Sequence, residues 1–139
     1  MAERVESAVD AESSATLRDF LELLRPMQWV KNVVVFAGPA AGLKLAEATT
    51  FAHAFVAFGA FCLASSATYA INDVLDRTAD SRHPVKRQRP VARGAIQPST
   101  AIAVGVCLAI ISLTMASFAL SYRVAAVVFL YFVLTLAYS

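Results

Sequence analysis

Long apolar runs without charged residues occupy most of the chain after Lys44. The first, Thr49–Ile71, is uncharged and is interrupted only by His53. An α-helix rises about 1.5 Å per residue, so this run is long enough to cross a hydrocarbon core of about 30 Å. The pattern therefore predicts a membrane-spanning helix here.

Two more apolar runs follow it. Gly94–Tyr122 is longer than a span requires and contains Pro98, Ser99 and Thr100 near its start. Because proline is tolerated in a first helical turn and Ser or Thr suits a cap, we predict that the helix begins there. Val124–Ser139 would reach about 24 Å as a helix, which is short of a full crossing.

A fourth candidate span precedes these runs. Met27–Leu45 is apolar, with Lys31 and Lys44 near its ends and with Gly38 and Pro39 interrupting it. The lysines can extend to opposite membrane interfaces. Together the runs predict an all-α, polytopic transmembrane helix bundle with about four spans.

Composition agrees with a membrane protein. Of the 139 residues, 58% are hydrophobic and 16% are charged, whereas soluble domains carry about 25% charged residues. Cys62 and Cys107 lie inside apolar runs and are interpreted as small buried apolar residues, not as a disulfide or metal pair. Residues 1–23 are predicted to be a disordered or amphipathic cytoplasmic segment.

The distribution of basic residues predicts the orientation. If the four candidate spans alternate, the first side carries Arg18, Arg25, Lys31, Arg77, Arg82, Lys86, Arg87, Arg89 and Arg93. The second side carries only Lys44 and Arg123. The positive-inside rule then places the N-terminus and the Asp73–Arg93 loop in the cytoplasm of a cell that has this protein in its inner or plasma membrane.

Candidate chemistry begins where the first long run ends. If the helix continues past Ile71, an arc of about 100° holds Tyr69, Asn72, Asp73, Asp76 and Asp80. Like charges this close are costly unless a cation neutralises them. Mg²⁺ is the natural candidate, because it binds one or two carboxylates together with phosphate oxygens and water.

A basic stretch follows directly. Pro84, Pro90 and Gly94 keep it from being one helix. Around these breaks lie the cations Arg82, Lys86, Arg87, Arg89 and Arg93. Guanidinium forks and a lysine ammonium suit phosphate oxygens. A divalent cation opposite these side chains would form a cradle for a departing diphosphate.

Plainer interpretations remain open. Basic residues after a span often only set topology, and acidic residues at a helix end are often merely solvated. His53 is more typical of a packed or interhelical hydrogen-bonding residue than of a ligand. His83 either binds phosphate or ends the turn.

The motif NDVLDRTAD, directly after a membrane span, resembles the first Asp-rich motif of UbiA-type intramembrane prenyltransferases. A finer resemblance is to the branch that transfers phosphoribose to decaprenyl phosphate, and it is carried by the stretches Leu24–Pro39, Thr68–Asp80 and His83–Ile96. It implies that residues 24–139 are the N-terminal part of a nine-helix membrane transferase domain with a cavity on its cytoplasmic side.

This resemblance implies an activity and roles for residues. The expected reaction is Mg²⁺-dependent transfer of 5-phosphoribose from phosphoribosyl diphosphate to a polyprenyl phosphate, a step towards the arabinose donor of a bacterial cell wall. Asn72 and Asp76 are the implied metal ligands. The implied catalytic carboxylates are Asp73, Asp76 and Asp80. The implied substrate-binding side chains are Lys31, Tyr69, Arg82, Lys86, Arg87 and Arg89.

Two alternatives stay open. One is a prenyltransferase of an aromatic or quinone precursor, and the other is a non-catalytic membrane fragment or scaffold. The expected partners are the two phosphate substrates and the membrane, not nucleic acid, and self-association is left open. The family's second Asp-containing loop does not occur before Ser139, so we expect the first half of the family's domain, and activity without the later helices is left open.

Overall fold

The computed structural model describes residues 15–138, and every regular element in that range is helical. In chain order the elements are α1 (Leu17–Leu24), a 3₁₀ segment (Pro26–Phe36), α2 (Ala37–Ala41), α3 (Ala48–Leu75), α4 (Arg77–Arg82), a 3₁₀ turn (Lys86–Gln88), α5 (Pro98–Ala119) and α6 (Tyr122–Tyr138). The predicted all-α class is confirmed. Of the predicted N-terminal segment 1–23, residues 1–14 lie outside the described range, and α1 is an ordered helix with one buried face.

Within residues 15–138, α3 and α5 are the two helices that are long and apolar enough to cross a membrane. They extend about 42 Å and about 33 Å at the usual helical rise. They confirm the helices predicted at Thr49–Ile71 and Gly94–Tyr122. The start of α5 at Pro98 is also confirmed, although its cap residue is Gln97.

Small side chains let α3 and α5 approach closely. A Cβ atom added to Gly105 would lie 2.9 Å from Ile71 Cγ1 and 3.1 Å from the Ala67 carbonyl oxygen, so only glycine fits at this contact. Further along, the buried Ser112 hydroxyl donates a 2.7 Å hydrogen bond to the Ala60 carbonyl. Small residues and interhelical hydrogen bonds of this kind hold membrane helices together where lipid removes the hydrophobic driving force.

The 3₁₀ segment runs antiparallel along α3. Trp29 Nε1 donates to Ser66 Oγ at 2.9 Å, and Ser66 Oγ donates to the Leu24 carbonyl at 2.7 Å. One turn further, Asn32 Nδ2 donates to Cys62 Sγ at 3.5 Å. These bonds fix the register of the segment against α3.

The structure corrects the single α-helix predicted at Met27–Leu45. An 11-residue 3₁₀ helix is followed there by the five-residue α2 and then by turns. Pro26 supplies no backbone N–H at the start, consecutive β-branched residues at Val33–Val35 crowd an α-helical turn, and Pro39 interrupts the continuation. 3₁₀ helices rarely exceed four residues, so this long one depends on its bonds to α3.

The last helix begins at Tyr122, slightly earlier than the predicted run Val124–Ser139. It packs on α3 through Phe61 and Tyr131, whose rings meet edge to face at 5.4 Å, and through the fully buried Val128. At 17 residues, α6 extends about 26 Å, so it is a short helix, as predicted.

Both cysteines are free thiols, as predicted. Cys62 is buried, but Cys107 is exposed, so the predicted burial is wrong for Cys107. Cys107 lies two residues from Gly105, about 200° around α5, and therefore faces away from the contact with α3.

Candidate functional site

The acidic motif lies where α3 gives way to α4. The helix continues past Ile71 to Leu75, as the predicted arc requires. Asp76 lies at the break, and its N–H still bonds to the Asn72 carbonyl at 2.8 Å. The Asp80 N–H bonds in turn to the Asp76 carbonyl at 2.8 Å, so the helical repeat is kept across the break.

Burial separates the carboxylates of this motif. Asp73 and Asp80 are 1% and 2% exposed, and Asn72 is also buried, whereas Asp76 is partly exposed. Burying a carboxylate is costly unless it is paired or hydrogen-bonded. The partial exposure of Asp76 leaves its carboxylate accessible to a ligand.

Two arginines pair with the buried carboxylates. Arg89 Nη1 lies 2.5 Å from Asp80 Oδ2 and 3.5 Å from Asp73 Oδ1. Arg25 Nη2 donates to the same Asp73 oxygen at 2.6 Å. The sequence predicted that a cation neutralises the crowded carboxylates. Arginine supplies that positive charge for Asp73 and Asp80, and the Mg²⁺ site stays a prediction.

Two buried acceptor atoms in this motif remain without a donor. Asn72 Oδ1 and Asp73 Oδ2 have no hydrogen-bond partner within residues 15–138. Buried polar atoms are nearly always paired, so these two oxygens mark a place for a cation or a ligand donor. An amide and a carboxylate oxygen beside Asp76 are of the kind that Mg²⁺ binds. In the described chain, however, no three His, Cys, Asp or Glu side chains converge as a metal site.

The basic stretch folds back over the acidic motif. His83 Nδ1 accepts hydrogen bonds from the N–H groups of Val85 and Lys86 at 3.2 Å each, so its side chain shapes the turn. A cavity of about 320 Å³ opens there, lined by Glu22, Arg25, Val85, Lys86, Gln88, Arg89 and Pro90. Arg82, Lys86 and Arg87 are exposed and are therefore available to an anion.

Arg93 belongs to a different group from the one the sequence suggested. Its Nη2 atom pairs with Asp19 and, at 3.0 Å, with Glu22, both on α1. Two hydrogen bonds from Thr16 at 2.7 Å, with Arg93 contributing less, lower the pKa of Asp19 from 3.8 to about 2. Arg93 thus fastens α1 to the loop and does not join the cradle.

The two remaining predicted substrate-binding residues occupy different places. Tyr69 lies beneath the Arg25 guanidinium, 4.7 Å from ring centroid to Cζ, and so joins the site. Lys31 is exposed on the 3₁₀ segment, between the Trp29 and Asn32 contacts that reach Ser66 and Cys62. That level lies about 10–16 Å along α3 from Asp73, so the structure does not bring Lys31 to the ion pairs.

Sequence reasoning missed Arg25 as a site residue. It counted this arginine only as a topology charge on the first side of the membrane. A contact between residues 48 positions apart leaves no local pattern that could reveal it. Its position in a stretch that carries the family resemblance was the one available signal.

Comparison with known proteins gives consistent results. The model of the UbiA prenyltransferase family matches residues 33–139. Decaprenyl-phosphate phosphoribosyltransferase of Mycolicibacterium smegmatis is 40% identical over 122 residues, 85% of this chain and 38% of that protein. The proteins of that name from Mycobacterium tuberculosis (strain CDC 1551 / Oshkosh) and Corynebacterium glutamicum are each 39% identical over 85% of this chain, covering 40% and 36% of their own lengths. The chain spans about two-fifths of the length of these relatives.

Proposed function

The chain belongs to the UbiA prenyltransferase family, and on that premise we propose that it forms part of a membrane enzyme that transfers 5-phosphoribose from phosphoribosyl diphosphate to a polyprenyl phosphate, with release of diphosphate. The names of its relatives support a polyprenyl phosphate acceptor and a phosphoribosyl donor. By the same resemblance, the product leads towards a cell-wall arabinan precursor.

The observation that carries this proposal is the bridge made by Arg89. Its guanidinium contacts Asp80 at 2.5 Å and Asp73 at 3.5 Å, which brings the acidic motif and the basic stretch into one site. A motif that served only topology would need no such contact. The bridge leaves Lys86 exposed in the lining of the cavity and Arg87 exposed next to it in the chain, and the charges of both favour phosphate oxygens.

Mg²⁺ fits this site by the kind of atoms that line it. We assign Asn72 and Asp76 as its ligands, with the unpartnered Asp73 Oδ2 as a further acceptor for the ion or its waters. When bound, the ion would neutralise charge on the diphosphate as a Lewis acid. The partly exposed Asp76 contributes the negative charge that arginine does not already offset.

The cationic side chains of the protein bind the phosphate groups of the two substrates. Both substrates are anionic, and phosphoribosyl diphosphate carries a phosphate at each end, so the site requires more fixed positive charge than one with a neutral aromatic acceptor. Lys86, Arg87 and Arg89 bind the phosphate oxygens of the substrates, in the ground state as well as in the transition state. Arg82 is exposed and would contact an outer phosphate. Lys31 lies about 10–16 Å along α3 from Asp73, so it would bind the phosphate farthest from the ion pairs.

The function is tested by transfer of label. Membranes containing the full reading frame are incubated with radiolabelled phosphoribosyl diphosphate and a polyprenyl phosphate, and lipid extracts are counted. We expect labelled lipid that disappears with EDTA and is absent from membranes lacking the protein. Prenylation of an aromatic acceptor without labelled lipid would support the quinone-type alternative, and no transfer of either kind would support a scaffold.

We also propose that the N-terminus and the Asp73–Arg93 loop face the cytoplasm, as the charge asymmetry predicts. A Gln88→Cys substitution in a background without Cys62 and Cys107 provides the test. An impermeant thiol reagent should label this position only after the cells are broken. Labelling in intact cells would overturn the orientation.

A further inference from the structure

Arg25 occupies an unusual backbone position. It ends α1 and begins the 3₁₀ segment in the left-handed conformation, with φ of 50°. A residue other than glycine adopts this conformation at a cost, and such residues concentrate at functional sites. Pro26 follows directly and restricts the chain further. The turn therefore holds Arg25 in one direction, towards α3.

The side chain of Arg25 is held on two sides. Asp73 accepts a hydrogen bond from Nη2 at 2.6 Å, and the Tyr69 ring lies 4.7 Å beneath the guanidinium carbon. The side chain is 24% exposed. A guanidinium has five N–H groups, and within residues 15–138 the bond to Asp73 is the one hydrogen bond that this guanidinium makes.

The exposed part of Arg25 faces a cavity rich in positive charge. Arg25, Lys86 and Arg89 line the cavity of about 320 Å³, and Glu22 is the one acidic residue in its described lining. Glu22 is already paired with Arg18 and Arg93. Asp73 and Asp80 already pair with Arg25 and Arg89, so within residues 15–138 Lys86 is the cation of this lining that no carboxylate offsets. Its charge, together with the arginine N–H groups that the carboxylates leave unused, favours an anionic occupant.

We propose that Arg25 is a phosphate-binding residue of this site, which presents its remaining N–H groups to the oxygens of a diphosphate while Asp73 holds the guanidinium in place. Lys86 and Arg89 supply the other cations of the same cradle. This role of Arg25 adds a binding residue to the proposed function. It depends on the proposed function in one respect, which is that the donor carries a diphosphate. Asp73 then acts on the phosphate through Arg25, as a positioning residue.

A purely structural role of Arg25 predicts a different pattern of diphosphate binding among variants. If Arg25 served only to neutralise the buried Asp73 carboxylate, removing both charges together should be harmless. The test is therefore a double-mutant cycle of Arg25→Gln and Asp73→Asn, which isolates the coupling between the two residues. The readout is calorimetric binding of inorganic diphosphate, with MgCl₂ present, to the detergent-solubilised full-length protein.

We expect Arg25→Gln to weaken diphosphate binding about 10- to 100-fold, the range for a charge-assisted hydrogen bond. The double variant should also bind more weakly than Asp73→Asn alone, but by a smaller factor than separates Arg25→Gln from wild type, because without Asp73 the guanidinium is no longer held towards the phosphate. Arg25→Lys should recover part of the loss, because it keeps the charge but not the planar fork. Arg18→Gln is the matched control and should bind like wild type, since Arg18 is 86% exposed and its one ion pair within residues 15–138 is with Glu22 on its own helix.

Each outcome either supports or overturns the phosphate-binding role of Arg25. A double variant that binds as well as Asp73→Asn alone would overturn the phosphate-binding role while leaving the proposed function intact. A wild-type protein that does not bind diphosphate would overturn both. If Arg25→Gln does not fold, Arg25→Lys and the double variant carry the test, because neither leaves Asp73 charged without a neighbouring cation.

Discussion

Two arginine–carboxylate clusters occupy the same end of the helix bundle, and they differ in how completely they are satisfied. In the α1 cluster (Thr16, Asp19, Glu22 and Arg93), both oxygens of Asp19 accept hydrogen bonds. In the α3 cluster (Arg25, Asn72, Asp73, Asp80 and Arg89), Asn72 and Asp73 each keep a buried oxygen without a donor. The carboxylate oxygens of Asp19 in the first cluster are thus satisfied, whereas the second cluster keeps two buried acceptors that a bound cation or donor could use. The charge of an arginine–carboxylate pair does not by itself indicate a functional site. Buried acceptors or donors that have no hydrogen-bond partner in the protein are the better indication.

The largest effect should come from Asp76, the exposed carboxylate beside the α3 cluster. Asp76→Asn in the full-length enzyme should lower turnover by at least about 100-fold, because an amide of the same shape lacks the charge that holds Mg²⁺ beside diphosphate. Membrane insertion should be unchanged. Turnover of radiolabelled phosphoribosyl diphosphate measures the effect.

Glu47→Gln is the control for Asp76→Asn, because Glu47 is the cap residue at the opposite end of α3 and lies outside the cavity lining. It should leave the Mg²⁺ dependence of turnover unchanged. If Asp76→Asn kept more than about a tenth of the wild-type rate, a loss below about 1.4 kcal/mol, its assignment as a metal ligand would be wrong.

The next effect concerns stability. Arg89→Gln removes the cation shared by Asp73 and Asp80, which are almost fully buried. Breaking one side of a buried pair costs about 3–5 kcal/mol, so the free energy of unfolding in mixed detergent micelles should fall by roughly that amount. Arg93→Gln, whose side chain is 39% exposed, is the control and should lower it much less. Equal losses would mean that the two clusters do not differ as described.

A smaller effect should follow from Lys86, which is exposed at the rim of the cavity. Lys86→Gln should raise KM for one phosphate-bearing substrate about 10- to 100-fold and leave kcat nearly constant, because such a contact is present in the ground state and the transition state alike. Steady-state kinetics on membranes gives the two constants. Lys44→Gln, in the segment between α2 and α3 on the far side of α3 from the site, should change neither. A loss in kcat alone would place Lys86 at the reacting bond instead.

The smallest effect should be the pH response of the α1 cluster. The pKa of Asp19 is lowered from 3.8 to about 2, chiefly by the hydrogen bonds from Thr16. A lowered folded-state pKa stabilises the fold above the unfolded value, so this contribution is present above about pH 4 and is lost as the pH falls towards 2. Hydrogen exchange should show α1 losing protection over that range, after correction for intrinsic rates. Asp19→Asn should remove this step, and an unchanged step in that variant would assign it to another group.

Much of the fold could be predicted because it depends on local composition. The ends of α3 and α5 follow from apolar runs and from Pro98, and the helical continuation into Asn72 and Asp73 follows from residue spacing. The 3₁₀ form of Pro26–Phe36 could not be predicted, because it depends on hydrogen bonds to α3 from residues far apart in the chain. The carboxylate partners of Arg25, Arg89 and Arg93 could not be predicted for the same reason.

The sequence therefore predicted which kinds of residue belong to the site, but not which of them form ion pairs with each other. The composition of the motifs identified Asp76 and Lys86 as candidate residues. It could not show that Arg93 turns away to α1 or that Arg25 arrives from the other direction. Pairing between distant segments is decided by tertiary geometry, which residue spacing along the chain does not contain.

The close contact at Gly105 has a consequence for chain entropy. The 22 residues between α3 and α5 (76–97) form a loop whose two ends are already held together by the packing of Gly105 against Ala67 and Ile71. Closing a free loop of this length would cost about 3 kcal/mol or more in conformational entropy. The packing of α3 against α5 offsets this cost, so the ion pairs of the loop do not have to. Doubling the loop would add only about 0.6 kcal/mol. Chain entropy therefore sets little limit on the length of this loop while the glycine contact at its base is kept. The limit comes instead from the ion pairs of Arg89 and Arg93 and from the buried Val91 and Ile96.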